Sequence, residues 1–248
     1  MIEDTTFDGI LNRRVTLEQP AQGYRVAIDT VLLAGAVPAL AGDRVLDMGC
    51  GVGGAMLALA CRVGGITGVG IDIQPDLVQL CRRNISRHDF AKGLKVIEGD
   101  VTQLAADLNG SFDHVLINPP YHDDARHDAS PDKIKQTANM EKSGELEWWI
   151  ESAAAVLRPS GILTIIHRAD RKDEILACLQ DAFGEVQLLP LLPREGQEAK
   201  RIILRARKST LYSLRPCVPL VLHKEGGAYT EAAEAILRHC QAVVFQSP

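Results

Sequence analysis

Asp47, Asp72, Asp100 and Asn118 each close a short apolar run, in RVLDMGC, GVGIDI, VIEGD and HVLINPPY. They lie 25, 28 and 18 residues apart, room in each case for a strand and its crossover. Polar groups at the tips of successive parallel strands face a common crevice, where open α/β sheets bind their ligands. A single aspartate at such a tip is commonly a cap or turn carboxylate. Three in a row point to a ligand.

The first tip carries a glycine loop, LDMGCGVGG. Gly49, Gly51 and Gly54 fit G-x-G-x-x-G, and Gly53 also fits G-x-G-x-G. Glycines at the start of a helix permit a tight turn and close backbone approach to a ligand. Alone, the loop fits a dinucleotide fold or a plain strand-to-helix turn. Asp47, two residues before Gly49, discriminates: its carboxylate would repel a pyrophosphate and attract a cation. S-adenosyl-L-methionine carries a sulfonium and an ammonium and no phosphate, so the acid favours it over a nicotinamide dinucleotide. Asp72 can then accept from both ribose hydroxyls, and Asp100 from the adenine amino group.

The fourth tip reads Asn118-Pro119-Pro120-Tyr121. An exocyclic base amine or an amide nitrogen is a poor nucleophile because its lone pair is delocalised. The Asn118 side-chain oxygen and the Pro119 carbonyl form an acceptor pair that can hold such a nitrogen by its N–H groups, toward a donor methyl. Two prolines stiffen the turn, and Tyr121 offers a ring face for a flipped base, a stacking contact worth about 1–3 kcal/mol. A rigid turn after a strand is the bland alternative. No strong general base is needed, since the proton can leave after methylation.

These tips need strands to hold them, and from residue 44 the chain alternates strand and helix. RVLDMGC, ITGVGIDI, LKVIEGD, FDHVLINPP, ILTIIH, EVQLLPL and RIILRARK read as strands. GAMLALACRV stops at Gly64-Gly65, PDLVQLCRRNISRH starts with Pro75 at the first helical position, and GELEWWIESAAAVLR ends at Pro159 and Gly161. DRKDEILACLQDAFG has Asp170 as its expected N-cap. The pattern predicts an α/β fold, a doubly wound, mostly parallel, seven-stranded sheet. Residues 1–43 and the polar stretch 122–143 fall outside it; a stretch like the second is a lid, a binding loop or a disordered insertion.

The 248 residues, 46% of them hydrophobic, suffice for a sizeable core. No apolar run approaches the roughly 20 residues of a membrane span, and the acids in MIEDTTFDGILNRR argue against a secretory signal. Six scattered cysteines without a C-x-x-C pair, and His88, His122 and His127 without ligand spacing, predict a reduced cytoplasmic protein with no metal. A net charge of −5 does not suggest a nucleic-acid binder. Residues 194–208 differ, with six Lys/Arg against two acids; this is either a phosphate-attracting face or a charge-protected strand edge.

On these motifs the chain resembles class I S-adenosylmethionine-dependent methyltransferases of the amino-methylating N-P-P-Y group, and within it the bacterial tRNA1(Val) adenine-37 N6-methyltransferases. GYRVAIDTVLLAG, VLDMGCGVGG, GVGIDIQPDLVQLCRRN, EGDVTQL, VLINPPY, LRPSGILTIIHRADR, LPLLPREGQEAKRIILRARK and PLVLHKEGGAYTEAAEAILR are similar to segments of that subgroup, in the same order. The resemblance implies a Rossmann-like methyltransferase domain over 44–248, with one antiparallel strand in its last hairpin and residues 1–43 covering the cofactor site. It implies cofactor contacts at Asp47, Gly49, Gly51, Asp72, Asp100, Val101 and Asn118, with Asp29 and Thr30 at the methionine end. Asn118, Pro119, Pro120 and Tyr121 would hold the target amine, and His167, Arg168, Lys200 and Arg201 would meet phosphates of a tRNA partner. N-P-P-Y also serves guanine-N2 and protein-glutamine N5 enzymes, so these remain alternatives. A dehydrogenase would leave N-P-P-Y without a purpose, and a merely RNA-holding module would not need Asn118 and Tyr121.

Overall fold

The computed structural model describes residues 4–23, 25–104, 106–119, 145–209 and 211–248. Pro120, Tyr121, the 122–143 stretch and its histidines His122 and His127 lie outside them.

The chain opens with a hairpin, β1 (Thr5–Ile10) and β2 (Val15–Pro20), and a helix, α1 (Ile28–Ala36). The alternation follows: β3 (Arg44–Met48), α2 (Gly54–Val63), β4 (Thr67–Asp72), α3 (Pro75–Ser86), β5 (Leu94–Glu98), β6 (Phe112–Ile117), α4 (Glu145–Val156), β7 (Leu157–Arg168), α5 (Lys172–Leu179), β8 (Phe183–Leu192) and β9 (Arg201–Lys208). Short strands β10 (Leu214–Pro216) and β11 (Leu220–Val221) and helix α6 (Glu231–His239) complete it. Strand order is β10-β8-β9-β7-β6-β3-β4-β5, with β11 also on β8.

The expected seven strands are present, and β9 runs antiparallel between β7 and β8. Two further strands lie on the β8 edge, both parallel to it. The basic run RIILRARK is therefore an interior strand. Its charges do not guard an edge.

Strand side chains alternate between two cores. Val45, Leu116, Ile166 and Ile203 face α1, α2, α3 and α6, while Leu46, Ile117, Ile165 and Leu204 face α4 and α5. That division makes the sheet doubly wound. Local signals place the helices: Pro75 opens α3, and Gly64, at φ 66°, closes α2 with its N–H on the Ala60 carbonyl. No helix among the described residues is long and apolar enough to cross a membrane.

Two boundaries differ from expectation. Pro159 and Gly161 do not separate helix from strand; β7 already begins at Leu157, paired with Phe112, and they form the irregularity before Ile162 pairs with His114. Asp170 is not the N-cap of α5. It lies in a 3-10 turn, Ala169–Arg171, and binds Arg168 instead.

Candidate active site

The tips of β3, β4 and β6 converge. Asp47 and Asp72 are both buried. Asp47 Oδ2 accepts the Met56 N–H at the start of α2, at 3.2 Å. Burial pushes the Asp47 carboxyl up to about 7, the Met56 N–H opposes this, and the neighbouring Asp72 charge adds to it. An acid held there has a strong electrostatic need for a cation.

Asp72 fixes the glycine loop. Its Oδ2 accepts from Gly51 N at 2.8 Å and its Oδ1 from Gln74 N at 2.9 Å. Burial pushes its carboxyl up and those two N–H groups pull it back. Each oxygen keeps one lone pair for a ribose hydroxyl. Gly51, at φ 54°, has nothing within 4 Å of the position a Cβ would take, so one side of the loop is open to a ligand. The opposite side is packed: a Cβ on Gly49 would sit 2.7 Å from the Trp149 ring of α4. An open backbone cradle beside two buried carboxylates fits an adenosyl ligand with a cationic end.

Asp100 does double duty. Its Oδ1 takes the Thr102 N–H and hydroxyl at 2.8 and 2.7 Å, the turn arrangement weighed for a lone aspartate. Its Oδ2 meets Gln103 Nε2 at 3.3 Å and has capacity for an adenine amino group. Val101 is buried in the α4–α5 core.

Ile117 pairs with Met48 on one side and Ile165 on the other. Asn118 thus leaves the sheet one residue beyond, next to Gly49, half-buried and followed by the buried Pro119. Thr30 and Val26, at the start of α1, reach the loop as well: a Cβ on Gly54 would lie 2.8 Å from Val26 and 3.1 Å from Thr30. Asp29, in the first turn of α1, accepts from Arg201 Nε at 3.0 Å.

The expected phosphate contacts divide. His167 is 2% exposed; burial, with the charge of Arg171, pushes its imidazole down to about 4, and Nδ1 accepts the Arg168 N–H at 2.9 Å. A ring so deeply buried offers a phosphate little surface. Arg168 is paired with Asp170 and Arg201 with Asp29. Lys200 is exposed. Three more of the run have partners inside the protein: Arg205 donates to the Ala36 carbonyl at the end of α1, Arg207 binds Glu185, and Lys208 donates to the Leu157 carbonyl.

Sequence reading missed Asn84, which is fully buried. Its Nδ2 donates to the Glu18 and Val52 carbonyls at 3.0 Å each, and its Oδ1 accepts the Glu18 N–H at 2.8 Å. One amide joins the N-terminal hairpin, α3 and the glycine loop. The signal was available: Asn84 falls on the Val78–Cys81 stripe of α3, where an apolar residue is due. Asn84→Ala would strand two carbonyls and an N–H away from water. Urea unfolding should show a loss of about 2–3 kcal/mol, and an unchanged midpoint would mean the three elements are held by other contacts.

Comparison with known proteins places this geometry. The family model described as "Methyltransferase small domain" matches residues 24–191. A tRNA1(Val) (adenine(37)-N6)-methyltransferase from Porphyromonas gingivalis is 28% identical over 237 residues, 88% of this chain and 89% of that protein. An rRNA N(6)-adenosine-methyltransferase from Caenorhabditis elegans is 24% identical over 170 residues, 68% and 72% of the two chains. A crystal structure titled a predicted O-methyltransferase, from Agrobacterium tumefaciens, superposes with a TM-score of 0.73 at 28% identity, over 87% of this chain and 98% of that one. The family match spans the glycine loop, all the acidic tips and Asn118: the chain belongs to the methyltransferase small domain family, and its methyl donor is S-adenosyl-L-methionine.

Proposed function

We propose that this protein methylates N6 of an adenine in tRNA, at the anticodon-adjacent position of a valine tRNA that its bacterial relatives' names give. The observation that carries the reading is the position of Asn118 and Pro119. They follow the central strand β6, one residue past its pairing with β3, whose tip holds the buried Asp47 and the open glycine loop.

S-adenosyl-L-methionine supplies an electrophilic methyl on a sulfonium. The chain's own groups do the rest. Asp47 faces the cationic end, Asp72 holds the loop and offers two lone pairs to ribose hydroxyls, and Asp100 Oδ2 offers one to the adenine amine. Thr30 brings α1 against the loop and Asp29 ties it to Arg201 of β9, so the 1–43 segment acts as the cover of the cofactor site and 44–248 as the methyltransferase domain. Asn118 Oδ1 and the Pro119 carbonyl take the two N–H groups of the target amine, which localises the nitrogen lone pair and turns it outward. Pro120 holds the turn and Tyr121 stacks on the flipped base. The lost proton passes to water. Lys200 supplies positive charge at the mouth for the RNA partner, beside the Arg201–Asp29 pair, and the protein works in the cytoplasm, where tRNA is modified.

Mass spectrometry of nucleosides from total tRNA and from rRNA of a deletion strain, with peptide mass spectrometry of its release factors, tests the reading. The expected result is loss of N6-methyladenosine, restored by the wild-type gene. Loss from rRNA alone would move the target to the substrate named for the nematode relative. Loss of N2-methylguanosine, or of methylated glutamine in a release factor, would replace adenine as the acceptor.

A further inference from the structure

A second polar cavity lies at the end of the sheet opposite the candidate active site. It measures 240 Å³ and is lined chiefly by Arg205, Arg207, Arg215, Glu185, Gln187 and Ile162. Strand register explains why three guanidinium groups meet there. Arg205 and Arg207 are two apart on β9 and share a face. Gln187 of β8 stands opposite Arg205, and Arg215 of β10 stands opposite Gln187. Ile162 of β7 pairs with Arg207 and closes the far side.

The charges do not balance. Glu185 is the one carboxylate in the lining among the described residues, and Arg207 Nε donates to it at 2.9 Å. Arg205 donates to the Ala36 carbonyl and stacks on Phe245 at 3.7 Å, and neither partner is charged. Arg215 is exposed on the outermost strand. Arg62, which donates to the carbonyls of Ala34 and Val37 at the end of α1, adds a further positive charge close by. Burial, and then repulsion from Arg62, pulls the Arg205 guanidinium down to about 10.

Hydrogen bonding is also incomplete. Thr164 stands opposite Arg205 on β7. Its Oγ1 and the Arg62 Nε are buried without a hydrogen-bond partner among the described residues. Like charges gathered in a half-buried pocket, beside unmet polar groups, call for an anion. A guanidinium fork matches a tetrahedral oxyanion. At about 30 Å³ per water, the cavity has room for such a group and its first waters.

We propose that this cavity binds a phosphoryl group, gripped between Arg205 and Arg215. The group comes either from an RNA backbone or from a free oligophosphate. Strand β9 runs from Arg201 at the active-site mouth to Arg207 at the cavity, and six residues rising ~3.4 Å each separate the two by roughly 20 Å. A short A-form stem whose loop occupies the Asn118 corner covers that distance. The RNA source rests on the proposed function; the free-anion source does not.

Thermal unfolding with pyrophosphate, against sodium chloride of equal ionic strength, tests the site in wild type, Arg215→Gln and Arg215→Glu. Pyrophosphate should raise the wild-type Tm by several degrees, with the gain reduced in the glutamine variant and absent in the glutamate variant. Binding of total tRNA across a salt series separates the sources. If the backbone supplies the phosphate, Arg215→Glu lowers the slope of log K against log salt by about one; if the anion is free, the slope stays and only the pyrophosphate effect disappears. Calorimetry with S-adenosylhomocysteine on the same samples reports on the methyl-transfer reading separately. The assignment is overturned if pyrophosphate stabilises Arg215→Glu as much as wild type, or if pyrophosphate has no effect and the tRNA slope is unchanged.

Discussion

Asn118→Ala is expected to lower kcat by about 10²- to 10³-fold while leaving S-adenosylhomocysteine affinity within a few-fold. The reason is the division of labour at the strand tips. In the proposed site the donor is held by groups on β3, β4 and the turn after β5: Asp47, Asp72, Gly51 and Asp100. Asn118 stands just past Ile117 of the neighbouring strand β6, where the proposed reading gives it chiefly to the acceptor nitrogen. Losing one of two acceptors for the amine leaves the nitrogen lone pair delocalised and misdirected at the moment it must attack. That penalty appears in the transition state, so it appears in kcat. Single-turnover kinetics with saturating cofactor, paired with calorimetry, measure the two quantities separately. A parallel collapse of donor binding would place Asn118 in the cofactor site and remove it from the amine.

Asp47→Asn should abolish a pH dependence. In the folded protein without cofactor the Asp47 carboxyl holds its proton to about pH 7, against a value near 3.8 when it is exposed. The folded state thus binds the extra proton. Its contribution to stability is complete below pH 4 and is lost as pH rises through 7. A shift of this size corresponds to about 4 kcal/mol at its limit. Urea unfolding of wild type and Asp47→Asn at pH 5 and pH 8 should therefore show the variant gaining several kcal/mol relative to wild type at the higher pH. Cofactor binding runs the other way. A sulfonium and an ammonium favour the ionised carboxylate, so wild-type affinity for S-adenosylmethionine should rise up to tenfold per pH unit below 7 and level off above it. The variant should bind weakly at every pH and lack this slope. Parallel affinity profiles for the two proteins would mean that Asp47 does not sense the cation.

Both predictions concern residues whose roles follow from type and position at a strand tip. The roles that changed concern partners. His167 has the composition of a phosphate contact and the location of a core residue, because the packing of α5 against β7 buries it. Arg168 and Arg201, read as a positive mouth, are each held by a carboxylate. The C-terminal segment added strands β10 and β11 beside β8, and with them the arginine-lined cavity, from residues with no strand periodicity long enough to register.

The sequence by itself determined which elements form, in what order, and which polar residues end the strands. Those depend on periods of two and 3.6 residues and on Pro and Gly at boundaries, all interactions within a few positions of the chain. Only the tertiary structure decided which charges face solvent and which are consumed. Arg201 meets Asp29 across 172 positions, Arg205 the end of α1 across 169, and Asn84 ties Glu18 to Val52. Such pairings arise from strand order and helix packing, and a local pattern carries no information about a partner that folding brings from the other end of the chain.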